Sequence, residues 1–429
     1  MLLEEILHSI LDSLDDYCIL HDWQNLPEKI KSDLDIIICK KQLILLNENL
    51  VKLAKARIIQ NLRHESTCNY FIIAYEKYNK HHFVAIDAAT DYRRNGLVIF
   101  SANELLKGKR QHKGFWIASP ESELNYILAK KILKNKIDNK AKIRLVQLSC
   151  SLGNTAITES EKIIGNSSAK RVIPLISKQS WKEIDERLPK LRYALIKHII
   201  LKNPFSPIAY FIPEMIRIIH RIVFPTGLFL SVLGPDGSGK TTLIEYLKID
   251  LEGAFRQTNL YHLRPYFFGK SQNKTACQPH NRKCYPKTIS LLKLIYYWLD
   301  YIFGYLIKIK VALIRSRLVI FDRYFDDILV DPKRLRLRNS EILSKFLYFF
   351  VPKPDITFLL DAPPVIIFKR KQEVILEEVT RQRELYKIIA QRSSSYIIVD
   401  GSKNAREVAK KCIDVIIDHL NKRYLARNT

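Results

Sequence analysis

A chain of 429 residues, 47% of them apolar, is long for one domain and too apolar for a disordered tract, so two packed domains are expected. Its 70 basic against 44 acidic side chains leave +26, split as +11 over residues 1–225 and +15 over 226–429, so no basic tail carries the excess. No helix-turn-helix, zinc-finger or RNA-recognition pattern accompanies that charge, which argues against a dedicated nucleic-acid reader and leaves phosphorylated small molecules or an anionic membrane surface.

The opening stretch, Met1-Leu-Leu-Glu-Glu-Ile-Leu-His-Ser-Ile-Leu-Asp12, has apolar residues at helical spacing and acids where a signal peptide needs positive charge. It reads as an amphipathic helix, and seven cysteines without an export signal point to a reducing cytoplasm. Strand-like runs at 34–39, 71–75 and 83–86 alternate with helices, giving a smaller α+β domain over 1–150. In Ser32-Asp33-Leu34-Asp35-Ile36-Ile37-Ile38 two carboxylates share one face of a strand, and Phe83-Val-Ala-Ile-Asp87 ends another run in a third. Three such acids, Asp33, Asp35 and Asp87, would make a two-metal site for nucleotidyl transfer; the plain alternative is chance alternation of acids at strand edges. Asp91-Tyr-Arg-Arg94 offers paired arginines, either for phosphate or simply solvated. Residues 151–225 read as a helical connector, broken by Pro204, Pro207, Pro213 and Pro225.

From residue 227 onward, apolar runs at 228–233, 259–263, 318–321, 356–360 and 396–399 are each followed by a helical pattern. That rhythm predicts an α/β domain over 226–429, a doubly wound five-stranded parallel sheet. The most lipid-like stretch, 289–314, contains Lys293, Asp300, Lys308 and Lys310 and reads as a core helix rather than a membrane span, with an interfacial role left open. Cys277, His280 and Cys284 form either three zinc ligands without a fourth or a plain surface loop.

The run Gly234-Pro-Asp-Gly-Ser-Gly-Lys-Thr241 fits the phosphate-loop pattern G-x-x-x-x-G-K-[ST], with an apolar strand leading in and a helix following. The residues expected to cradle a nucleotide are Gly234, Asp236, Gly237, Ser238, Gly239, Lys240, Thr241 and Thr242. In such a loop the glycines let the backbone wrap phosphates, Lys240 reaches their oxygens, and Thr241 offers a hydroxyl to Mg²⁺. Asp236 is an acid in a loop that gathers anions, so it needs another object. Arg317-Leu-Val-Ile-Phe-Asp322-Arg323-Tyr324 ends a strand in a carboxylate suited to Mg²⁺, with an arginine beside it. The basic residues Lys369, Arg370, Lys371, Arg381 and Arg383 fit a mobile lid closing over transferring phosphates, or a solvated helix face.

The phosphate loop, the Asp322-Arg323-Tyr324 triplet, Leu360-Asp-Ala-Pro-Pro364 and Ile397-Ile-Val-Asp-Gly401 together resemble thymidylate kinase and its relatives among nucleoside monophosphate kinases, over residues 226–422. The resemblance implies an ATP- and Mg²⁺-dependent kinase with a small phosphoryl acceptor. Asp322 and Thr241 would hold Mg²⁺, while Arg323, with Tyr324, Arg381, Arg383 and Arg264 of His262-Leu-Arg-Pro265, would meet the acceptor. Lys240, Arg323, Arg370 and Asp236 would serve catalysis, Asp236 by accepting a hydrogen bond from an acceptor hydroxyl. The family's Ser-x-x-Ala-Tyr-Gln base-reading run is replaced by Phe325-Asp-Asp-Ile-Leu-Val-Asp-Pro-Lys-Arg334, and Arg264 lacks the Glu that follows it in the family. The acceptor is therefore a nucleoside monophosphate or a sugar, the latter in keeping with two-domain relatives associated with surface-polysaccharide synthesis. Residues 15–150 resemble the nucleotidyltransferase superfamily, without its upstream Gly-Ser, which implies either a working transferase or a degenerate binding domain. Alternatives from other classes are a regulatory ATPase or membrane-associated module, and a nucleotidyltransferase with an auxiliary phosphate-loop half. Peripheral membrane contact and a homodimer stay open.

Overall fold

A computed structural model describes residues 3–30, 33–53, 56–269, 283–338, 341–372 and 374–428. The chain divides into two units, Met1–Ile219 with Tyr424–Thr429, and His220–Arg423.

Among the described residues the first unit has nine strands: β1 (Tyr17–Ile19), β2 (Leu34–Ile38), β3 (Ala56–Glu65), β4 (Cys68–Lys77), β5 (Lys80–Ala89), β6 (Asp91–Arg94), β7 (Leu97–Ser101), β8 (Arg110–His112) and β9 (Phe115–Ile117). Seven make a mixed sheet in the order β3-β4-β5-β2-β1-β9-β8, and β6 pairs with β7. The period-two alternation of a strand decides what each face of β2 meets. Ile36 and Ile38 point into a core shared with Ile6, Ile10, Leu46 and Phe71. Ile37 points the other way, into a core shared with Ile127, Leu145, Ile173 and Leu195. Those residues lie on helices Pro120–Lys134, Asn139–Leu152, Asn166–Ser177 and Trp181–Lys202, so the helical segment after residue 151 packs on the same core as the helices before it.

The second unit carries β10 (Leu228–Leu233), β11 (Thr258–His262), β12 (Leu318–Asp322), β13 (Ile356–Asp361) and β14 (Tyr396–Asp400). All pair in parallel in the order β11-β12-β10-β13-β14, the expected five-stranded sheet. β10 is central and buried along its whole length, as a strand covered by helices on both faces must be. The order reverses beside β10, and the crevice at its carboxyl end is where ligands of open α/β sheets bind.

The apolar stretch 289–314 becomes helix Lys287–Gly304, a π-turn over Tyr305–Ile309 and helix Lys310–Ile314. Leu294, Tyr301, Ile309 and Leu313 face the core of this unit. No helix among the described residues is long and apolar enough to cross a membrane. Cys284 is a free, exposed cysteine, whereas Cys277 and His280 lie outside the described residues.

Candidate active site

β10 ends at Leu233, and helix Lys240–Asp250 starts six residues after the loop begins. Gly237 has φ of +89°, and a Cβ there would lie 2.8 Å from the carbonyl oxygen of Ile367 and 3.1 Å from Lys371 Cβ. Only glycine tolerates both that backbone and that approach. Ile367 belongs to helix Pro364–Arg370, so the segment expected to act as a lid lies directly on the loop.

Lys240 is buried and donates to the carbonyl oxygens of Gly234 at 2.9 Å and Pro235 at 2.8 Å. Burial, reinforced by the Arg323 charge, brings its ammonium down to about 8. Asp236 is held from both sides. One carboxylate oxygen accepts from Arg323, and the other accepts from Arg334 Nη1 at 2.6 Å. Burial alone would raise this acid, but Arg323, Lys240 and Arg334 hold it well below the usual carboxylate range. Arg323 itself is buried, adopts φ of +71°, and also donates to Asp327, which accepts from Tyr386 Oη at 2.8 Å.

Asp322 ends β12, and its Oδ2 lies 3.2 Å from His262 Nδ1. Burial favours its neutral form, yet the His262 hydrogen bond and the Lys240 charge bring its ionisation below the ordinary value. Its other oxygen, Oδ1, is buried with no hydrogen-bond partner, and so is Ser238 Oγ in the loop. Buried acceptors and hydroxyls are rarely left so, which fits a site that receives Mg²⁺ and phosphate. Thr241 and Thr242 are exposed on the first turn of the helix. A cavity of about 210 Å³ opens beside them, lined by Ser238, Gly239, Thr242, Arg370, Gly401 and Lys403.

The thymidylate kinase family matches this chain over residues 232–412, the stretch that holds the loop, Asp322, Arg323 and the lid. The C-terminal domain is a thymidylate kinase-like P-loop kinase. It is similar to "Probable thymidylate kinase 1" of Saccharolobus solfataricus, 28% identical over 197 residues that span 44% of this chain and 97% of that protein. The thymidylate kinase of Xylella fastidiosa is 26% identical over 215 residues, 48% of this chain and 93% of its own length. That of Carboxydothermus hydrogenoformans is 28% identical over 198 residues, 42% and 93% respectively. The kinase is ATP-dependent and uses Mg²⁺, and a nucleoside monophosphate acceptor fits the family. These matches lend no support to a sugar acceptor, a polysaccharide role, a regulatory ATPase or an auxiliary phosphate-loop half.

The remaining expected kinase residues fall in distinct places. Arg370 donates to the Gly401 carbonyl at 2.8 Å, at the edge of the cavity. Arg264 sits among Tyr266, Tyr296 and Tyr297, its guanidinium 4.6, 5.3 and 4.7 Å from their ring centres, and 3.6 Å from buried Asp300. Asp300 accepts the backbone N–H groups of Tyr266, Phe267 and Phe268 and so pins the loop that presents Arg264. At Gly304, one turn further along the same helix, a Cβ would meet the Pro265 ring at 2.4 Å, so only glycine lets that loop close on the helix. Arg383 forms a bidentate pair with Asp361 at 2.5 and 2.9 Å, and Arg381 donates to Glu378 and the Val330 carbonyl. Tyr324, expected to meet the acceptor, is instead buried among Phe229, Tyr301 and Phe321, its hydroxyl donating to the Pro352 carbonyl at 2.6 Å. Arg334, His262 and Asp327 were not singled out as site residues from the sequence.

The family match does not reach residues 15–150. There β2 and β5 run parallel with Asp35 opposite Asp87, and oxygens of Asp33, Asp35 and Asp87 lie within 4.8 Å of one another. Asp35 accepts from Lys130 Nζ at 2.7 Å, and His21 Nε2 lies 2.5 Å from it. Although burial opposes it, these partners hold Asp35 well below the usual carboxylate range. His21 in turn stays charged to higher pH than usual, because Asp22 and Asp35 outweigh its burial. Arg93 is committed to Asp91, with Nε at 2.8 Å.

Proposed function

We propose that the kinase domain transfers the terminal phosphoryl group of ATP to deoxythymidine monophosphate, giving ADP and the nucleoside diphosphate. The observation that carries this reading is the junction of Asp236 with Arg323 and Arg334 beside the unpartnered Asp322 oxygen. Loop amides and Lys240 would receive the triphosphate, with its base and sugar toward the cavity lined by Thr242, Arg370 and Lys403. Thr241 and Asp322 would hold Mg²⁺, which supplies charge neutralisation of the phosphate oxygens. An oxygen of the acceptor monophosphate attacks the γ-phosphorus as the bond to the β,γ-bridging oxygen breaks, and ADP leaves with that electron pair. Arg323 and Arg334 take the acceptor's phosphate, and Asp236 turns to a hydroxyl of its sugar. Arg370, Arg381 and Arg383 supply the lid cations. In this chemistry the protein contributes positioning and electrostatic stabilisation rather than covalent steps.

The test is ADP release by the purified chain with ATP, Mg²⁺ and single nucleoside monophosphates. Deoxythymidine monophosphate is expected to raise the rate at least tenfold above the acceptor-free background. Equal rates with every monophosphate would remove the proposal, and preference for another base would replace the acceptor while keeping the kinase.

A second reading concerns the first unit, where the approach of Asp33, Asp35 and Asp87 supports metal-assisted nucleotidyl transfer. Pyrophosphate release from a nucleoside triphosphate, lost in Asp33→Ala/Asp35→Ala, is the expected result; no release with any of the four common triphosphates would end this reading.

A further inference from the structure

Asp87 belongs to a second group of side chains whose chemistry differs from that of Asp33 and Asp35. The strands β3 and β4 form a hairpin in which Arg63 pairs with Asn69 and Glu65 with Cys68, so His64 is an extra residue between two pairs. Such a bulge re-aims a side chain that would otherwise follow the alternation of its strand. The His64 ring lies against Tyr70, with centres 4.7 Å apart, and Tyr70 is the direct partner of Asp87 on β5. Cys68 stands two residues before Tyr70 and shares its face, with Sγ 2.7 Å from Asp87 Oδ1. His64 Nδ1 lies 3.9 Å from Asp87 Oδ2. Together a ring nitrogen, a thiol sulfur and a carboxylate oxygen all lie within 4.8 Å of one another.

We propose that His64, Cys68 and Asp87 bind a zinc ion. Tetrahedral zinc holds nitrogen, oxygen and sulfur donors roughly 3.3–3.6 Å apart, so the three atoms reach that arrangement by side-chain adjustments of about an ångström. Three protein donors leave a fourth position for water or substrate, the pattern of zinc sites that act on ligands rather than only hold a fold. His64 and Asp87 keep 29% and 20% of their side-chain surface, which leaves the group accessible to an incoming ion. The donor set also selects the metal. One thiolate and one imidazole favour zinc over Mg²⁺, which prefers an all-oxygen shell such as Asp33, Asp35 and Asp87 would offer. Binding releases the thiol proton of Cys68 to solvent as the sulfur–metal bond forms, so no oxidant or reductant takes part. The inference does not depend on nucleotidyl transfer, because it needs only the hairpin and Asp87.

Cobalt(II) serves as the probe on the full-length chain stripped of metal. One equivalent should give the near-ultraviolet thiolate-to-cobalt charge-transfer band and the visible bands of a tetrahedral ion, and an equivalent of zinc should abolish both. Cys68→Ser should lose the charge-transfer band, Asp87→Asn should weaken cobalt affinity 10–100-fold, and Cys284→Ser should leave the spectrum as in the parent. Because Cys68→Ser could compromise folding, alkylation of Cys68 in the unmodified chain is followed by mass spectrometry with and without zinc. Protection of Cys68 by zinc supports the site. Absence of the charge-transfer band at equimolar cobalt, its persistence in Cys68→Ser, or equal alkylation with and without zinc each overturns it.

Discussion

Asp236 and Arg323, 87 residues apart in the chain, close on each other at the mouth of the phosphate loop, and Arg334 holds the second Asp236 oxygen from the opposite side. Under the proposed function, these three charges are the ones an acceptor would meet. Asp236→Ala leaves two buried or half-buried guanidinium groups without their carboxylate. The bond that Asp236 would make to the acceptor hydroxyl is lost as well, and one charge-assisted bond contributes about 1.5–3 kcal/mol, so kcat/KM for the acceptor should fall by about 10–100-fold while KM for ATP changes less than threefold. Steady-state ADP release with each substrate varied in turn reads the split.

Lys240 links nucleotide binding to pH. Its ammonium is brought to about 8 in the folded chain, against an ordinary 10.5. Below pH 8 the lysine is charged in both folded and unfolded states, and the cost of burying that charge is fully present. Between pH 8 and 10.5 the unfolded chain binds more protons, so this group makes stability rise with pH across that window. A bound triphosphate favours the charged form. ATP affinity should therefore be flat below pH 8 and fall by up to tenfold per pH unit above it, with one proton taken up on binding. Calorimetric titrations at pH 7 and pH 9, in buffers of different ionisation enthalpy, measure both, and Lys240→Met should lose the uptake.

Asp326 is buried and accepts from the hydroxyls of Tyr348 at 2.8 Å and Tyr396 at 2.5 Å, both on Oδ1. Burial raises its ionisation above 3.8 despite those bonds. A raised acid gives its full stability below the unfolded value and loses it as pH rises through the folded one. Asp326→Asn keeps an oxygen for both tyrosines and removes the buried charge. The variant should be more stable than the parent at pH 8, with the difference shrinking as pH falls and gone once the pH lies well below 3.8, as read by urea unfolding across that range.

Asp300 gives its carboxylate to three consecutive backbone N–H groups. Asp300→Ala takes the acceptor from all three and the nearby carboxylate from Arg264, at about 1–3 kcal/mol for each donor left unsatisfied. Unfolding should shift by about 3 kcal/mol or more, and at temperatures where the variant stays folded the acceptor KM should rise more than the KM for ATP.

The sheet of the kinase domain was readable because each strand is an apolar run bounded by helix signals; observed and expected bounds differ by at most one residue at either end, as at Thr258–His262 against 259–263. The loop and Asp322 were readable for the same reason, since strand ends fix where side chains emerge. Tyr324 was misplaced because adjacency in a triplet says nothing about direction: at Arg323 the backbone turns left-handed, and the next ring swings into the core. Arg334 carried no pattern of its own. It reaches Asp236 from a short 3-10 turn, Pro332–Leu335, capped by Asp331, and no periodicity predicts such a return. Likewise Asp33 just before β2 and Asp35 within it stand close together in the sequence, whereas Lys130, 95 residues after Asp35, emerges beside it only through the packing of a helix. His64 was hidden by the bulge that turns it.

With its ammonium fastened to the Gly234 and Pro235 carbonyls, the loop is a knot already tied. A guest that offers Lys240 a single weak contact gains little by loosening it, since two good bonds are surrendered first. Only a ligand with several phosphate oxygens in a row would replace what is given up, so these two bonds would make the loop discriminate by phosphate-chain length.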